Sequence, residues 1–402
     1  MTEEIKNRIE SIRKGEIPKG YRYTKDIGIA PTDWKLGKMS DIIENISRPV
    51  PKPDKPYWRL GIKSWAKGIF HAFVDNPDTV DMDELYEVKE NDLIVNITFA
   101  WEHAIAIAKK EDEGLLVSHR FPTYVFKDEQ IPEYYQAVIS RHYFKDMLDH
   151  ISPGGAGRNR VLNRDDFLNL PCYIPTLTEQ QKIAEILSTC DRVIELKQQL
   201  LDEKRKVFRH IMALIFESVD EHIELGRISK ITMGQSPDSS SYNTDEDGVP
   251  LLQGNADIMN GIPMPRYYTS KPTKMCKSGD LLLSVRAPVG AVSCSDRSAC
   301  IGRGLCSISA GKFSEYIYYY LKYYESEWDK ISQGSTFTAI SGDDIKKVPI
   351  PVVNDSTLAR YQGILRCADT EIHLLEQELE SLQQKKKALM QLLLTGLVRT
   401  NN

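Results

Sequence analysis

The amino-acid sequence predicts an α/β (α+β) multidomain protein: two globular domains, each followed by a long helix, with the two helices pairing as an antiparallel coiled coil. Three observations lead there. The chain repeats its own plan, each repeat ends in a long apolar-striped run without Gly or Pro, and the segments before those runs are rich in Pro, Gly and β-branched residues. A length of 402 residues suits two or three domains at roughly 100–200 residues each.

The repeat rests on three matches. Trp34-Lys35-Leu36-Gly37-Lys38-Met39-Ser40 returns as Ile223-Glu224-Leu225-Gly226-Arg227-Ile228-Ser229. Asp92-Leu93-Ile94-Val95 returns as Asp280-Leu281-Leu282-Leu283. Asp165-Asp166 ahead of Leu170-Pro171 returns as Asp343-Asp344 ahead of Val348-Pro349. The matches keep one order at offsets of 189, 188 and 178 residues, which marks two copies of one unit.

In chain order, residues 1–33 form a polar extension, with a helix expected at Glu3–Lys14 and turns at Pro18-Lys19-Gly20 and Ala30-Pro31-Thr32-Asp33. Residues 34–175 and 218–352 are the two globules. Their short apolar runs, Leu93–Ile97, Ala104–Ala108, Leu281–Val285 and Val289–Val292, are bounded by turn signals and read as strands. Tyr316–Tyr324, aromatic throughout, reads as a short buried helix. The segment 176–217 is the first long helix, opening at Thr178-Glu179-Gln180-Gln181 after Pro175. Its seam comprises Ile183, Leu187, Ile194, Leu201 and Phe208. A second stripe of Ile186, Val193, Leu200, Val207 and Leu214 calls for a second buried face. The segment 353–398 is the other long helix, with Ile372, Leu375, Leu379, Leu382 and Leu389 on its seam, interrupted by Lys386 and ended by Gly396. About 38 residues at 1.5 Å each give a rod of about 57 Å.

Composition excludes several classes. No apolar run reaches the roughly 18–20 residues of a membrane span, and the start of the chain does not read as a signal peptide. Seven cysteines, an odd number, fit a reducing cytoplasm better than a disulfide framework. Cys276, Cys294, Cys300 and Cys306 lack the close pairs that grip zinc and read as small buried side chains. Pro153–Arg158 is Gly-rich without the spacing of a nucleotide-binding loop, and no phosphate loop of the NTPase kind occurs. Asp78, Glu87 and Lys89 imitate a metal-dependent nuclease pattern that charged sequence often produces by chance. The absence of cofactor and nucleophile motifs points away from an enzyme.

The net charge of −5 hides two basic clusters. Arg48–Phe70 holds Arg48, Lys52, Lys55, Arg59, Lys63 and Lys67 against one acid, with Tyr57, Trp58, Trp65 and Phe70 interleaved. Pro250–Ala310 holds seven basic residues against three acids. The first long helix carries seven of each sign. Positive charge thus concentrates in the globules, where phosphate backbone could meet it.

The whole layout resembles the DNA-specificity subunit of type I restriction–modification systems. Ile174-Pro175-Thr176-Leu177-Thr178-Glu179-Gln180-Gln181-Lys182-Ile183-Ala184 is similar to that family's junction into its first conserved helix. Lys387–Gly396 is similar to its C-terminal helix end. Ser284–Gly290 with Ile301–Leu305, and Asn96–Glu102 with Val117–Thr123, are similar to its recognition-domain patterns. The second junction departs, with Asn354-Asp355-Ser356-Thr357 where Glu-Gln-Gln would recur.

The resemblance implies a non-catalytic subunit in the prokaryotic cytoplasm. Its two target-recognition domains would each read half of a bipartite asymmetric site on double-stranded DNA. It implies two modification (methyltransferase) subunits as partners, together with restriction subunits. S-adenosylmethionine, ATP and magnesium would reside in those partners, with no cofactor in this chain. A recognition subunit serving one fused methyltransferase–nuclease partner would look nearly the same, and a self-contained endonuclease using Asp78, Glu87 and Lys89 is the reading from another class. For DNA contacts, Arg, Lys and polar side chains are the candidates: Lys63, Arg120, Arg158, Asn159 and Arg160 in the first domain; Lys271, Arg286, Arg303, Gln333, Ser335 and Thr336 in the second. Trp101 and His119 read as core side chains as readily as DNA-facing ones.

Overall fold

In a computed structural model of the chain, which describes residues 3–154, 160–259, 261–332 and 339–400, the apolar run after Asp92 forms the strand Leu93–Val95, buried throughout. The run is uninterrupted because both of its faces are covered. Leu93 and Val95 enter one apolar cluster with Ile105, Tyr124, Tyr134 and Phe144. Ile94 points the other way, into a cluster with Leu60, Ile62, Ala106 and Val117. One sheet therefore separates two cores, each organised by the period of two along the strand.

That sheet is antiparallel, in the order Ile105–Ile107, Leu93–Val95, Thr123–Phe126, Ile43–Ile46. Beyond the second core lies a five-stranded sheet in the order Pro49–Pro51, Glu84–Glu87, Leu116–Val117, Tyr57–Ile62, Ile69–Val74. Only Leu116–Val117 against Tyr57–Ile62 is parallel there. These elements belong to one of two compact units, Met1–Leu196 with Leu379–Asn402; the other is Lys197–Glu378.

The second unit repeats the plan. Its four-stranded antiparallel sheet runs Val292–Cys294, Leu281–Ser284, Leu305–Ser309, Lys230–Met233. Its five-stranded sheet runs Tyr242–Asn243, Tyr267–Thr269, Val249–Leu252, Ala299–Ile301, Met275–Cys276, again with one parallel pair, Val249–Leu252 with Ala299–Ile301. Four strands of the larger sheets correspond, and the fifth is added at opposite edges. The strand expected over Val289–Val292 begins only at Val292. Gly290 turns the chain at φ 91°, and a Cβ there would stand 2.2 Å from the ring of Trp328, which is fully buried. The aromatic helix spans Ser314–Tyr323 and sets Tyr316 and Tyr320 edge-on to Phe216, at 5.3 and 5.1 Å.

The long helices are Leu177–Glu217 and Asp355–Leu394. Within the first unit, Ile183 and Leu187 share a buried cluster with Leu393 and Leu394, and Asp191 pairs with Lys386. The Lys386 interruption of the seam is thus an ion pair at its margin. Within the second unit, Lys197 meets Glu378 at 2.8 Å and Lys204 meets Glu371 at 2.6 Å. Rising numbers on one helix meet falling numbers on the other, so the pairing is antiparallel. Of the expected seam residues, Ile183, Leu187, Leu201, Phe208, Ile372 and Leu379 are buried, and Ile194, Leu375, Leu382 and Leu389 are half-buried. The second stripe is a correction: Ile186, Val193, Leu200, Val207 and Leu214 are 36–59% exposed. They lie off the seam and stay exposed among the described residues.

In the first unit the N-terminal helix Glu3–Arg13 and its following turn lie on the C-terminal end. Arg8 donates to the Leu397 carbonyl at 3.2 Å, and the Tyr21 hydroxyl donates to that of Gly396 at 2.6 Å. Arg399 spans Asp33 and Glu179, while Glu179, fully buried, also accepts from Trp34 Nε1 at 2.8 Å.

Candidate nucleic-acid interface

Sheet register aligns the two copies residue by residue. Thr123 pairs with Ile94 as Ser307 pairs with Leu282. Ile97 N–H donates to the Arg120 carbonyl at 3.0 Å, as Val285 N–H does to that of Gly304, also at 3.0 Å. Phe121 N–H closes on Ser118 O at 2.9 Å, and Leu305 N–H on Gly302 O at 3.1 Å. The turn from the larger to the smaller sheet is therefore the same turn twice, with His119 matching Arg303 and Arg120 matching Gly304.

All three of those cationic or titratable side chains are exposed. In the second copy the turn is fixed by close backbone approach. A Cβ on Gly302 would lie 2.9 Å from Gln253 Cα, and one on Gly304 would lie 2.4 Å from Gln253 O. Glycine alone fits at both places. Arg303 between them projects from a backbone held by Gly302 N–H to Leu252 O at 2.7 Å and Gly304 N–H to Gln253 O at 3.0 Å. An arginine on a rigid platform suits bidentate contact with a base edge or phosphate.

In the first copy the corresponding surface carries an open polar cleft, with Asn45, Arg48, Tyr86, Glu87, His119 and Arg164 in its lining. Arg164 donates to the His119 carbonyl at 2.9 Å, so the turn is braced from below. Arg48 is not free: it makes a two-pronged pair with the buried carboxylate of Asp92, at 2.5 and 3.1 Å. The cleft offers an amide, a guanidinium, an imidazole and a carboxylate, the mixture that base edges require.

The other sequence candidates divide. Lys63, Arg120, Lys271, Arg286 and Arg303 are exposed, and none has an ion-pair partner among the described residues. Arg160 is committed elsewhere. It donates to the carbonyls of Ser152 at 2.9 Å and Asp149 at 2.8 Å, pairs with the Asp149 carboxylate, and lies 5.3 Å over the Trp101 ring. It closes a loop, and a base contact would require breaking that set. Arg158, Asn159, Gln333, Ser335 and Thr336 lie outside the described residues. Trp101 is half-buried, its Nε1 donating to Thr98 O at 3.2 Å, whereas His119 is on the surface.

Cys276, Cys300 and Cys306 are buried, and burial pushes the Cys276 thiol up and that of Cys306 up to about 12. Cys294 is a correction, exposed because in the strand Val292–Cys294 it is Ser293 that faces inward. Asp78 sits in a short turn capped by Asn76, and Glu87 in the strand Glu84–Glu87. Among the described residues no helix is long and apolar enough to cross a membrane.

Comparison with known proteins agrees with this repeat. Residues 31–203 and 220–384 each match the type I restriction modification DNA specificity domain. The chain is 30% identical to a putative type I restriction enzyme MjaX specificity subunit of Methanocaldococcus jannaschii, over 93% of this chain and 96% of that one. In fold it is similar to a chain from a type I restriction–modification system solved to explain complex assembly and conformational transition (TM-score 0.63, 22% identity, 92% of this chain and 99% of that one). It is also similar in fold to the type I system S subunit of M. genitalium (TM-score 0.58, 15% identity, 92% and 97%). A DNA-specificity domain is a recognition element and not a catalytic one. The chain belongs to the type I restriction–modification DNA specificity family and carries that family's domain twice.

Proposed function

We propose that residues 34–175 and 218–352 are two target-recognition domains, each reading one half of an asymmetric split site on double-stranded DNA. The segments 176–217 and 353–398 set the distance between the halves and seat the partner chains, and the extension 1–33 fastens the ends. The observation that carries this reading is the twice-built turn, His119-Arg120 in one copy and Arg303-Gly304 in the other. The same scaffold offers different side chains, as two different half-sites require.

Lys63, Arg120, Lys271, Arg286 and Arg303 are the proposed DNA contacts of the described residues. Arg158, Asn159, Gln333, Ser335 and Thr336 remain proposals from the sequence. The seam from Ile183 to Phe208 and from Ile372 to Leu389 holds the two helices together. The exposed stripe Ile186, Val193, Leu200, Val207 and Leu214 is the surface for two modification subunits, with restriction subunits joining that complex. Those partners bring S-adenosylmethionine, ATP and magnesium, and the complex works in the prokaryotic cytoplasm.

The test is to purify the chain alone and with whatever co-purifies from its host, then assay DNA with S-adenosylmethionine. Adenine methylation by the complex and none by the chain alone is the expected result. Magnesium-dependent cutting by the chain alone would overturn the reading. A second test addresses spacing. One heptad inserted into each helix adds about 10 Å, or about three base pairs, and the preferred gap between half-sites should lengthen accordingly. Equal weakening at every gap length would contradict it.

A further inference from the structure

One feature of the larger sheets occurs in both copies. Register places Arg59 and Leu251 at corresponding positions, since Arg59 pairs with Leu116 and Leu251 with Cys300 in the parallel ladders. The connection leaving each strand is then also equivalent. In the first copy it is the tight turn Lys63–Gly68, and in the second a longer excursion of which 254–259 and 261–266 are described. Both end in large apolar side chains held in water. Trp65 is 59% exposed; Met259, Ile262 and Met264 are 61%, 54% and 53% exposed.

Both connections are pinned by hydrogen bonds between described residues. Trp65 and Ala66 hold left-handed backbone at φ 65° and 49°, a conformation that bulky residues rarely adopt. It is held by Lys63 N–H to Gly68 O at 2.9 Å, Trp65 N–H to Glu102 O at 2.8 Å and Ala66 N–H to His103 O at 2.9 Å. Ser64 Oγ donates to Glu102 Oε2 at 2.6 Å. Lys145 covers the indole at 5.3 Å. Lys63 and Lys67 are exposed on either side and have no ion-pair partner among the described residues.

The second excursion is closed at its base by buried Asp257. Its carboxylate accepts from Gln253 N–H at 2.7 Å and Arg266 Nε at 2.7 Å, and its carbonyl accepts from Met264 N–H at 2.7 Å. Met259 and Ile262 pair across the small hairpin. The excursion leaves from Gln253, beside Arg303.

We infer that these two connections are DNA-inserting fingers, with Trp65 in the first domain and Met259 with Ile262 in the second wedged against bases while Lys63, Lys67 and Arg303 hold the adjoining phosphates. Pinned apolar tips flanked by unpaired cations match what a kinked or widened groove takes: an apolar wedge between base steps and a positive collar on the backbone. The inference rests on the reading of the chain as the DNA-recognising subunit.

The test uses the native complex and reads the methylated motif together with the rate at the best site. Trp65→Ala should slow methylation roughly tenfold or more, as loss of an aromatic–base contact does, and relax one half of the motif only. Trp65→Phe should restore most of the rate. Met259→Ala with Ile262→Ala should relax the opposite half. Lys63→Gln with Lys67→Gln should lower the slope of log affinity against log salt by about two, and this arm stands if an alanine variant fails to fold. An unchanged motif and rate, equal loss at both halves, or an unchanged salt slope would each overturn the inference. If the unaltered complex methylates no split motif, the reading of the chain itself has failed, which is a separate result.

Discussion

The two helix junctions start from the same plan and end differently. Gln180 N–H bonds to Thr176 O at the first, and Leu358 N–H to Asn354 O at the second, so Glu179 corresponds to Thr357. Each helix is capped alike: Thr176 Oγ1 accepts from Glu179 N–H at 3.3 Å, and Asn354 Oδ1 from Thr357 N–H at 2.9 Å. At the first junction, however, the chain's own ends arrive. Arg399 and Trp34 converge on a carboxylate with no solvent contact, and Gln180 is buried too. At the second junction Leu358 is simply buried apolar surface. Glu179 at the first junction thus serves Arg399 and Trp34, and Thr357 at the second makes no such set of contacts among the described residues.

The largest effect should follow from breaking that asymmetry. Glu179→Ala leaves the buried Trp34 Nε1 without an acceptor and Arg399 with Asp33 alone, and should cost about 3 kcal/mol, whereas Thr357→Ala should stay within about 0.5 kcal/mol. Denaturant titration of both variants checks this, and equal losses would mean that the junctions do the same work.

A smaller contrast separates the two globules. Asp92 and Asp280 correspond, and each accepts a turn N–H, from Lys89 and Lys277, at 2.8 Å. Asp92 then pairs with Arg48, while Asp280 accepts from Ser307 at 2.8 Å and Ser309 at 2.6 Å. Asp92→Ala should cost about 3 kcal/mol because Arg48 is left mostly buried and unpaired. Asp280→Ala should cost about 2 kcal/mol, leaving only neutral donors unmet. Arg48→Ala added to Asp92→Ala should recover part of the loss; a further loss would show that the pair is not the reason.

The smallest effect concerns pH. The hydrogen bond from Arg399 holds the Asp33 carboxyl below its ordinary range. A depressed folded value means stabilisation that is present above the ordinary carboxylate pKa and is lost as pH falls through the folded one. Since Asp33 is 62% exposed, the contribution should stay below about 1 kcal/mol. Asp33→Asn should remove that share of the acid sensitivity and leave neutral-pH stability little changed.

Periodic features were legible in the sequence because they are local. The heptads, the doubled Asp92 and Asp280 runs and the Tyr316–Tyr324 helix all announce themselves within one element. The rest depends on partners outside the residue's own element. Arg160 reads as a free cation until Asp149 and Ser152 close on it, and His119 reads as core as readily as surface until the turn carries it outward. The stripe from Ile186 to Leu214 reads as buried because its spacing is that of a buried helix face, whereas in the structure it is exposed. Trp65 sat inside a recognised basic cluster. Its one local signal was Lys-Ser-Trp-Ala-Lys-Gly after an apolar strand, and the turn's left-handed backbone is set by Glu102 and His103, far along the chain.

The central claim is that two unlike copies of one domain read two unlike half-sites. Mapping the methylated adenines left by the native complex on random-sequence DNA tests it most directly. The account predicts one motif of two different specified halves separated by a fixed run of unspecified base pairs. A single continuous motif, or two identical halves, would contradict it.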